Sequence, residues 1–197
     1  MMVMGFSMPA QTGPIPGTQN LYDRGGGLIY DSDLNITWLQ DANYANGRMW
    51  WDSAIFWASS LVYQGYSDWR LPTALNVDGS GPYSGYDVTG SEMGHLYYTE
   101  LGNPAYGPLT NTGPFTNLQS VTYWSGTECP PFPNPFWTKA WYFYFGSGLQ
   151  DFGEKYTLLY AWAVRPGDSA PIPEPATLLL LGSGLIGVLG LRKKFKK

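Results

Sequence analysis

Between residues 24 and 41 the apolar positions fall in two short runs, Leu28-Ile29-Tyr30 and Ile36-Thr37-Trp38-Leu39, separated by Asp31-Ser32-Asp33-Leu34-Asn35. Two β-branched and aromatic runs around a turn-forming stretch predict a hairpin. From about residue 50 to 63 the apolar spacing changes to three and four. Trp51, Ala54, Ile55, Ala58, Leu61 and Val62 then share one stripe, which predicts a helix. Asp52 stands in its first turn, where the helix dipole favours an acid. A second helix is predicted from the N-cap Ser91 to about Leu101. The remainder reads as strands at 123–127, 139–145, 149–154 and 159–164, with Gly146-Ser147-Gly148 as the turn of one hairpin. Helices early and antiparallel strands late predict an α+β fold with two helices and a mostly antiparallel sheet.

The last 27 residues follow a different pattern. Pro171-Ile172-Pro173-Glu174-Pro175 precedes an uncharged run of 16 residues, 176–191, and the chain closes on Arg192-Lys193-Lys194-Phe195-Lys196-Lys197. As a helix the run would reach about 24 Å, against a hydrocarbon core of roughly 30 Å. Snorkelling lysines and local thinning of the bilayer close that gap, so 176–191 is expected to be a transmembrane helix. The cations Arg192, Lys193, Lys194, Lys196 and Lys197 should stay cytoplasmic, leaving the globular part outside. A buried core helix is the competing reading, but it would not end in five cations. At the other end, residues 1–11 are apolar without a positive n-region. They read as the end of a signal peptide begun upstream, or as an exposed tail. The expected layout is 1–17 as signal remnant or flexible N-terminus, 18–167 as the globular domain, and 168–175 as linker. The transmembrane helix and basic tail follow at 176–191 and 192–197.

Composition supports one folded unit between these ends. The chain is 17% aromatic, and all nine Trp lie from Trp38 to Trp162. Twenty-five Gly and 16 Pro favour many turns over long helices. The net charge of −4 hides an asymmetry: before Arg192 there are six basic residues against 15 acidic ones, a balance near −9. Such a domain would be repelled by a phosphate backbone, which excludes nucleic acid as a charge-driven partner.

The ordered succession of Pro173-Glu174-Pro175, a Leu/Gly-rich run and a terminal basic cluster resembles the PEP-CTERM sorting signal. That resemblance implies recognition by an exosortase, a membrane-embedded cysteine transpeptidase, and cleavage near Pro173, Glu174 and Pro175, which would be substrate residues. The domain would then pass from the inner membrane to the envelope surface or extracellular matrix.

A second resemblance runs through the domain. Its pieces are Ile36-Thr37-Trp38-Leu39-Gln40-Asp41, Trp51-Asp52-Ser53-Ala54, Gly65-Tyr66-Ser67-Asp68-Trp69-Arg70-Leu71-Pro72-Thr73, Tyr123-Trp124-Ser125, Ala140-Trp141 and Ala163-Val164-Arg165. In that order they resemble the Lcl C-terminal domain family, with Asp68 to Thr73 the most specific part. The resemblance implies a C-type-lectin-like fold and, by analogy with adhesin members, binding of sulfated or acidic glycans. One departure is a long Gly-rich insertion after Ala74-Leu75, where the family has a short Glu-Leu helix. The plainer reading of the same residues is structural: Trp69 buried, Arg70 paired to a carboxylate at a chain crossing, and Trp124, Trp141 and Trp162 in the core.

Catalytic chemistry has little to stand on. His95 and Cys129 are each the only residue of their type, so no disulfide or cysteine zinc site can form within the chain. Cys129 lies in a proline-rich stretch without a nucleophile signature. Formylglycine-generating enzymes share the broad fold, but their paired-cysteine or copper chemistry cannot be built from one thiol. Fifteen acids allow many glycosidase-like pairs, and nothing selects one. Gly25-Gly26-Gly27 lacks the Lys-Ser/Thr of a phosphate loop.

One loop carries metal-ligand spacing. Asn76, Asp78, Ser80 and Asp87, with the carbonyl of Pro82, match positions of an EF-hand-type calcium loop, with Gly81 at the sixth. The acid normally at the first position and the Glu at the twelfth are missing. The competing reading is a Gly/Ser/Asp-rich surface loop. The chain is therefore expected to be a non-enzymatic, exported envelope or matrix protein contacting extracellular polysaccharide, calcium being the one candidate cofactor. The alternatives are a purely structural surface protein and an exported hydrolase.

Overall fold

A computed structural model describes residues 13–130 and 138–169. Residues 1–12, 131–137 and 170–197 are outside the described residues, and with them most of the expected 1–17 signal remnant, the transmembrane helix, the Pro-Glu-Pro motif and the basic tail. Among the described residues no helix is long and apolar enough to cross a membrane.

The architecture is α+β, with two sheets around one aromatic core. β1 (Leu21–Asp23), β2 (Leu28–Asp31), β3 (Ile36–Leu39) and β9 (Val164–Pro166) form an antiparallel sheet in the order β1-β2-β3-β9. The second sheet runs β4-β8-β5-β6-β7: β4 (Arg48–Met49), β8 (Leu159–Tyr160), β5 (Thr122–Glu128), β6 (Lys139–Tyr144) and β7 (Leu149–Glu154). Its pairings are antiparallel except β5 with β8, which is parallel. The expected hairpin is present as β2–β3, with Leu28 opposite Leu39 and Asp31 opposite Ile36. Asn35 takes the left-handed φ of 50° its turn needs, a conformation asparagine tolerates.

Several expectations are corrected. α1 (Trp51–Ser60) starts where its stripe does, but its chain leaves the helix at Leu61. Trp51, Ala54 and Ala58 are buried, whereas Val62, past the helix end, is 68% exposed. Trp51 also fixes the helix to the second sheet through its indole N–H, 2.8 Å from the Ser125 carbonyl. The strand expected over 159–164 is two strands in two sheets. Between them Ala161, Trp162 and Ala163 are all buried, so the segment has no polar face to alternate with. β1 and β4 lie outside the expected elements; at three and two residues they are too short to show a period.

The second helix also differs from a regular one. Ser91 caps it as expected, its hydroxyl accepting from the Gly94 N–H. Only α2 (Glu92–Gly94) is α-helical, and His95–Glu100 continues as a π-helical turn closed by the Leu101 N–H to the Leu96 carbonyl. Gly94 is required at the junction, because a Cβ there would come within 1.8 Å of the Val88 carbonyl oxygen.

The core lies between the sheets. Trp162 packs on Trp38 (4.8 Å between ring centroids), Phe115 (4.9 Å), Tyr123 (5.9 Å) and Phe145 (6.0 Å). Its indole N–H reaches the Leu39 carbonyl at 2.8 Å. Trp69, Trp124 and Trp141 are buried too, as expected for structural tryptophans.

Candidate functional site

The most specific sequence motif is a structural crossing. Arg70 pairs by backbone with Val164, bringing the motif against β9. Its guanidinium grips Glu92 at 2.6 and 2.8 Å, and the same carboxylate accepts the Thr73 N–H at 2.8 Å. Asp68 holds Arg165 in a second two-point pair at 2.8 and 3.0 Å, with Tyr66 under the guanidinium at 3.9 Å. Arg165 holds the Asp68 carboxyl below the usual carboxylate range, chiefly through that hydrogen-bonded pair. Both arginines are thus occupied within the fold.

The Gly-rich insertion is docked on β7. Gly85 bridges Gln150, whose side-chain amide donates to the carbonyls of Ala74 and Tyr83. Within it, Asn76, Asp78 and Ser80 meet in one tight turn. The Asn76 amide donates to the Ser80 hydroxyl at 2.9 Å, and Asp78 accepts the Ser80 N–H at 2.9 Å. Asp87 follows the Gly85 bridge, and its N–H is bound by the Tyr98 hydroxyl. Pro82 lies in the exposed stretch between them.

Beside this insertion the surface carries an aromatic ledge. Tyr106 is 74% exposed and stacks on Tyr86 with ring centroids 3.8 Å apart. It sits at φ 59°, a left-handed conformation that is strained for an aromatic residue, and its N–H is tied to the Ser147 carbonyl. Tyr83 is exposed nearby in sequence, and Ser84 donates to Asp151 at 2.9 Å. The surface therefore offers an open aromatic face at Tyr86 and Tyr106.

A second cluster is buried beneath the β2–β3 turn. Asp31, His95 and Glu100 each place a ligand-type atom within 4.8 Å of the other two. His95 Nε2 is 3.5 Å from Glu100 Oε1 and 3.7 Å from Asp33 Oδ2, ion-pair contacts rather than good hydrogen bonds. Asp31 and Glu100 are only 0% and 2% exposed. Asp31 Oδ2, His95 Nε2 and Glu100 Oε1 have no hydrogen-bond partner. The other oxygen of each carboxylate is fixed: Asp31 Oδ1 accepts the Leu34 N–H, and Glu100 Oε2 accepts the N–H groups of Gln19 and Asn20. Burial pushes the Asp31 carboxyl up to about 6, against the pull of the Leu34 amide, His95 and Trp38. For His95 burial opposes the charged form, but the surrounding carboxylates of Glu100, Asp31 and Asp33 outweigh it and raise its pKa. Burial likewise opposes Glu100, and His95 with the Asn20 and Gln19 amides holds it low.

This grouping escaped the sequence. Asp31 is far from His95 along the chain, and five residues on an α-helix turn about 140° apart. The π-helical turn, at roughly 4.4 residues per turn, reduces that angle to about 50° and puts His95 and Glu100 on one side. Cys129 is half-buried, and burial pushes its thiol pKa up.

Comparison with known proteins supports both sequence resemblances. Residues 171–194 match the PEP-CTERM protein-sorting motif, which implies exosortase-dependent export and a place in the cell envelope. No curated protein and no solved structure gives a significant match. Residues 27–165, more than two thirds of the chain, match the Lcl C-terminal domain, and the protein belongs to that family.

Proposed function

We propose that the protein is a non-enzymatic surface or matrix component whose domain, on a C-type-lectin-like scaffold, binds a neutral extracellular polysaccharide through the Tyr86–Tyr106 ledge. The exposed, backbone-strained Tyr106 is the observation that carries this reading. Strain at a solvent-facing aromatic contributes nothing to the core, and sugar rings stack on such faces. Charge selects the neutral glycan. Five of the domain's six cations, Arg24, Arg70, Lys139, Lys155 and Arg165, are paired to carboxylates. Among the described residues Arg48 alone has no carboxylate partner, and it lies over the Tyr160 ring instead. Sulfate or uronate groups would find few free cations on a surface dominated by acids. Exosortase is the processing partner in this reading, and the chain is held in the inner membrane by residues 176–191 until cleavage near Pro173, Glu174 and Pro175.

The test is a glycan array with neutral and sulfated polysaccharides, read for the wild type, Tyr106→Ala and Tyr86→Ala. Binding to neutral glycans that drops at least about tenfold in both variants is expected. Preference for sulfated glycans, or binding unchanged in both variants, would remove the ledge from the function. Turnover of any glycan would favour the hydrolase alternative.

A further inference from the structure

We propose that Asp31, His95 and Glu100 are the three protein ligands of a divalent transition-metal site of the zinc type, with its fourth position open toward Asp33. The inference is independent of glycan binding. It begins from three polar atoms, Asp31 Oδ2, His95 Nε2 and Glu100 Oε1, that are buried and have no hydrogen-bond partner. Buried polar groups are almost always hydrogen-bonded, and leaving three unmet is destabilising, more so when charged, so a common partner is expected. Their spacing fits one. Ligands about 2.0–2.1 Å from a tetrahedral ion lie about 3.4 Å apart. His95 Nε2 and Glu100 Oε1 are already at 3.5 Å, and the whole set lies within 4.8 Å.

Charge points the same way. Two buried carboxylates and a neutral imidazole are balanced by one divalent cation. A nitrogen ligand with two carboxylate oxygens suits zinc and its neighbours, whereas calcium and magnesium take oxygen ligands. The outer shell is built as metal sites require. Each carboxylate has one oxygen fixed by backbone N–H groups, which turns the other toward the centre. The cluster lies nearest to solvent on the side of His95 and Asp33, whose side chains are 14% and 42% exposed. The ion would tie the N-terminal entry of the domain, through the Gln19 and Asn20 amides on Glu100, to the end of β2 and the π-helical turn.

The experiment uses the full chain, purified in detergent, stripped with chelator and titrated with Zn²⁺, with near-ultraviolet circular dichroism confirming the fold. Bound metal is counted after gel filtration, and Co²⁺ substitution reports coordination through its visible bands. One zinc per chain is expected, with tetrahedral-type Co²⁺ absorption. His95→Gln and Glu100→Gln should weaken binding at least about 100-fold. Cys129→Ser and Asp52→Asn should leave it unchanged. Should Glu100→Gln not fold, the partly exposed His95 decides alone through His95→Gln. A folded wild type that takes up no stoichiometric zinc would overturn the proposal and leave the cluster as an imidazolium between carboxylates. So would zinc bound equally well by the variants, zinc lost with Cys129→Ser, or zinc displaced by equimolar Ca²⁺.

Discussion

Glu92 is the residue whose loss should be felt most for its size. The residue is only 7% exposed, and its carboxylate accepts three hydrogen bonds, two from Arg70 and one from the Thr73 N–H. Glu92→Ala leaves the Thr73 N–H without its acceptor and the Arg70 guanidinium without its counter-charge. Breaking a buried pair costs about 3–5 kcal/mol. The Arg70 side chain is 40% exposed, so water recovers part of that and the lower end, about 3 kcal/mol, is expected. For a chain of this size that lowers the melting midpoint by about 6–12 °C. Glu92→Gln keeps the shape and an acceptor for Thr73, and should cost about half as much. The assay is thermal unfolding of wild type, Glu92→Ala, Arg70→Met and the double mutant. Because both partners serve one contact, the double mutant should be less destabilised than the sum of the singles by about 1–3 kcal/mol. Strict additivity, or a midpoint within about 2 °C of wild type for Glu92→Ala, would show that this crossing is not held by the pair.

Five further outcomes are expected. Trp162→Phe, which removes the indole bond to Leu39 and opens a void among Trp38, Phe115 and Phe145, should cost about 2–4 kcal/mol by denaturant unfolding. The Asp68 carboxyl is held low by Arg165, so its stabilisation is present above the ordinary carboxylate range. It is lost as pH falls below about 4, and unfolding curves of Asp68→Asn should lack that part of the acid loss. If the proposed calcium loop of Asn76, Asp78, Ser80, Pro82 and Asp87 is a weak extracellular-type site of roughly 10⁻⁴–10⁻³ M, then ~1 mM Ca²⁺ adds about 0.4–1.4 kcal/mol. Melting should rise a few degrees in wild type but not in Asp78→Ala or Asp87→Ala; identical curves with calcium and with chelator would refute it. In exosortase-positive cells, intact mass should show surface protein ending near Pro173-Glu174-Pro175. Neutralising Arg192, Lys193, Lys194, Lys196 and Lys197 should weaken membrane retention in a fractionation assay.

What could be read from the sequence was what local chemistry dictates. The β2–β3 hairpin, the start of α1, the Ser91 cap and the β6–β7 turn each depend on residues adjacent in the chain. The pairing of Arg70 with a carboxylate was foreseeable as a type of contact, but not the partner, since Glu92 lies on another element. The break between β8 and β9 was hidden, because a segment buried on every side has no polar alternation to mark where it changes sheets. The buried Asp31–His95–Glu100 cluster was hidden for a different reason. It depends on a π-helical turn and on a strand more than sixty residues away, and neither leaves a periodic trace. The ledge was obscured by abundance: with 33 aromatics, only the fold separates Tyr106 from the core.

The divided segment from β8 to β9 also governs when this protein can become itself. β9 pairs with β3, and β8 joins β4 to β5, so the same eight residues complete both sheets. A chain emerging N-terminus first can form the β2–β3 hairpin early. It cannot complete the second sheet until residue 160 is available, or the first until residue 166, and only four residues separate 166 from the sorting motif that begins at 171. Contacts this distant in sequence make assembly slow and cooperative, with exposed strand edges in the interval. The last strand of the domain and the sorting motif are therefore adjacent in the chain. Truncations that stop at residue 158 should yield protease-sensitive, aggregation-prone chains, whereas those ending after Ser169 should retain a finished domain.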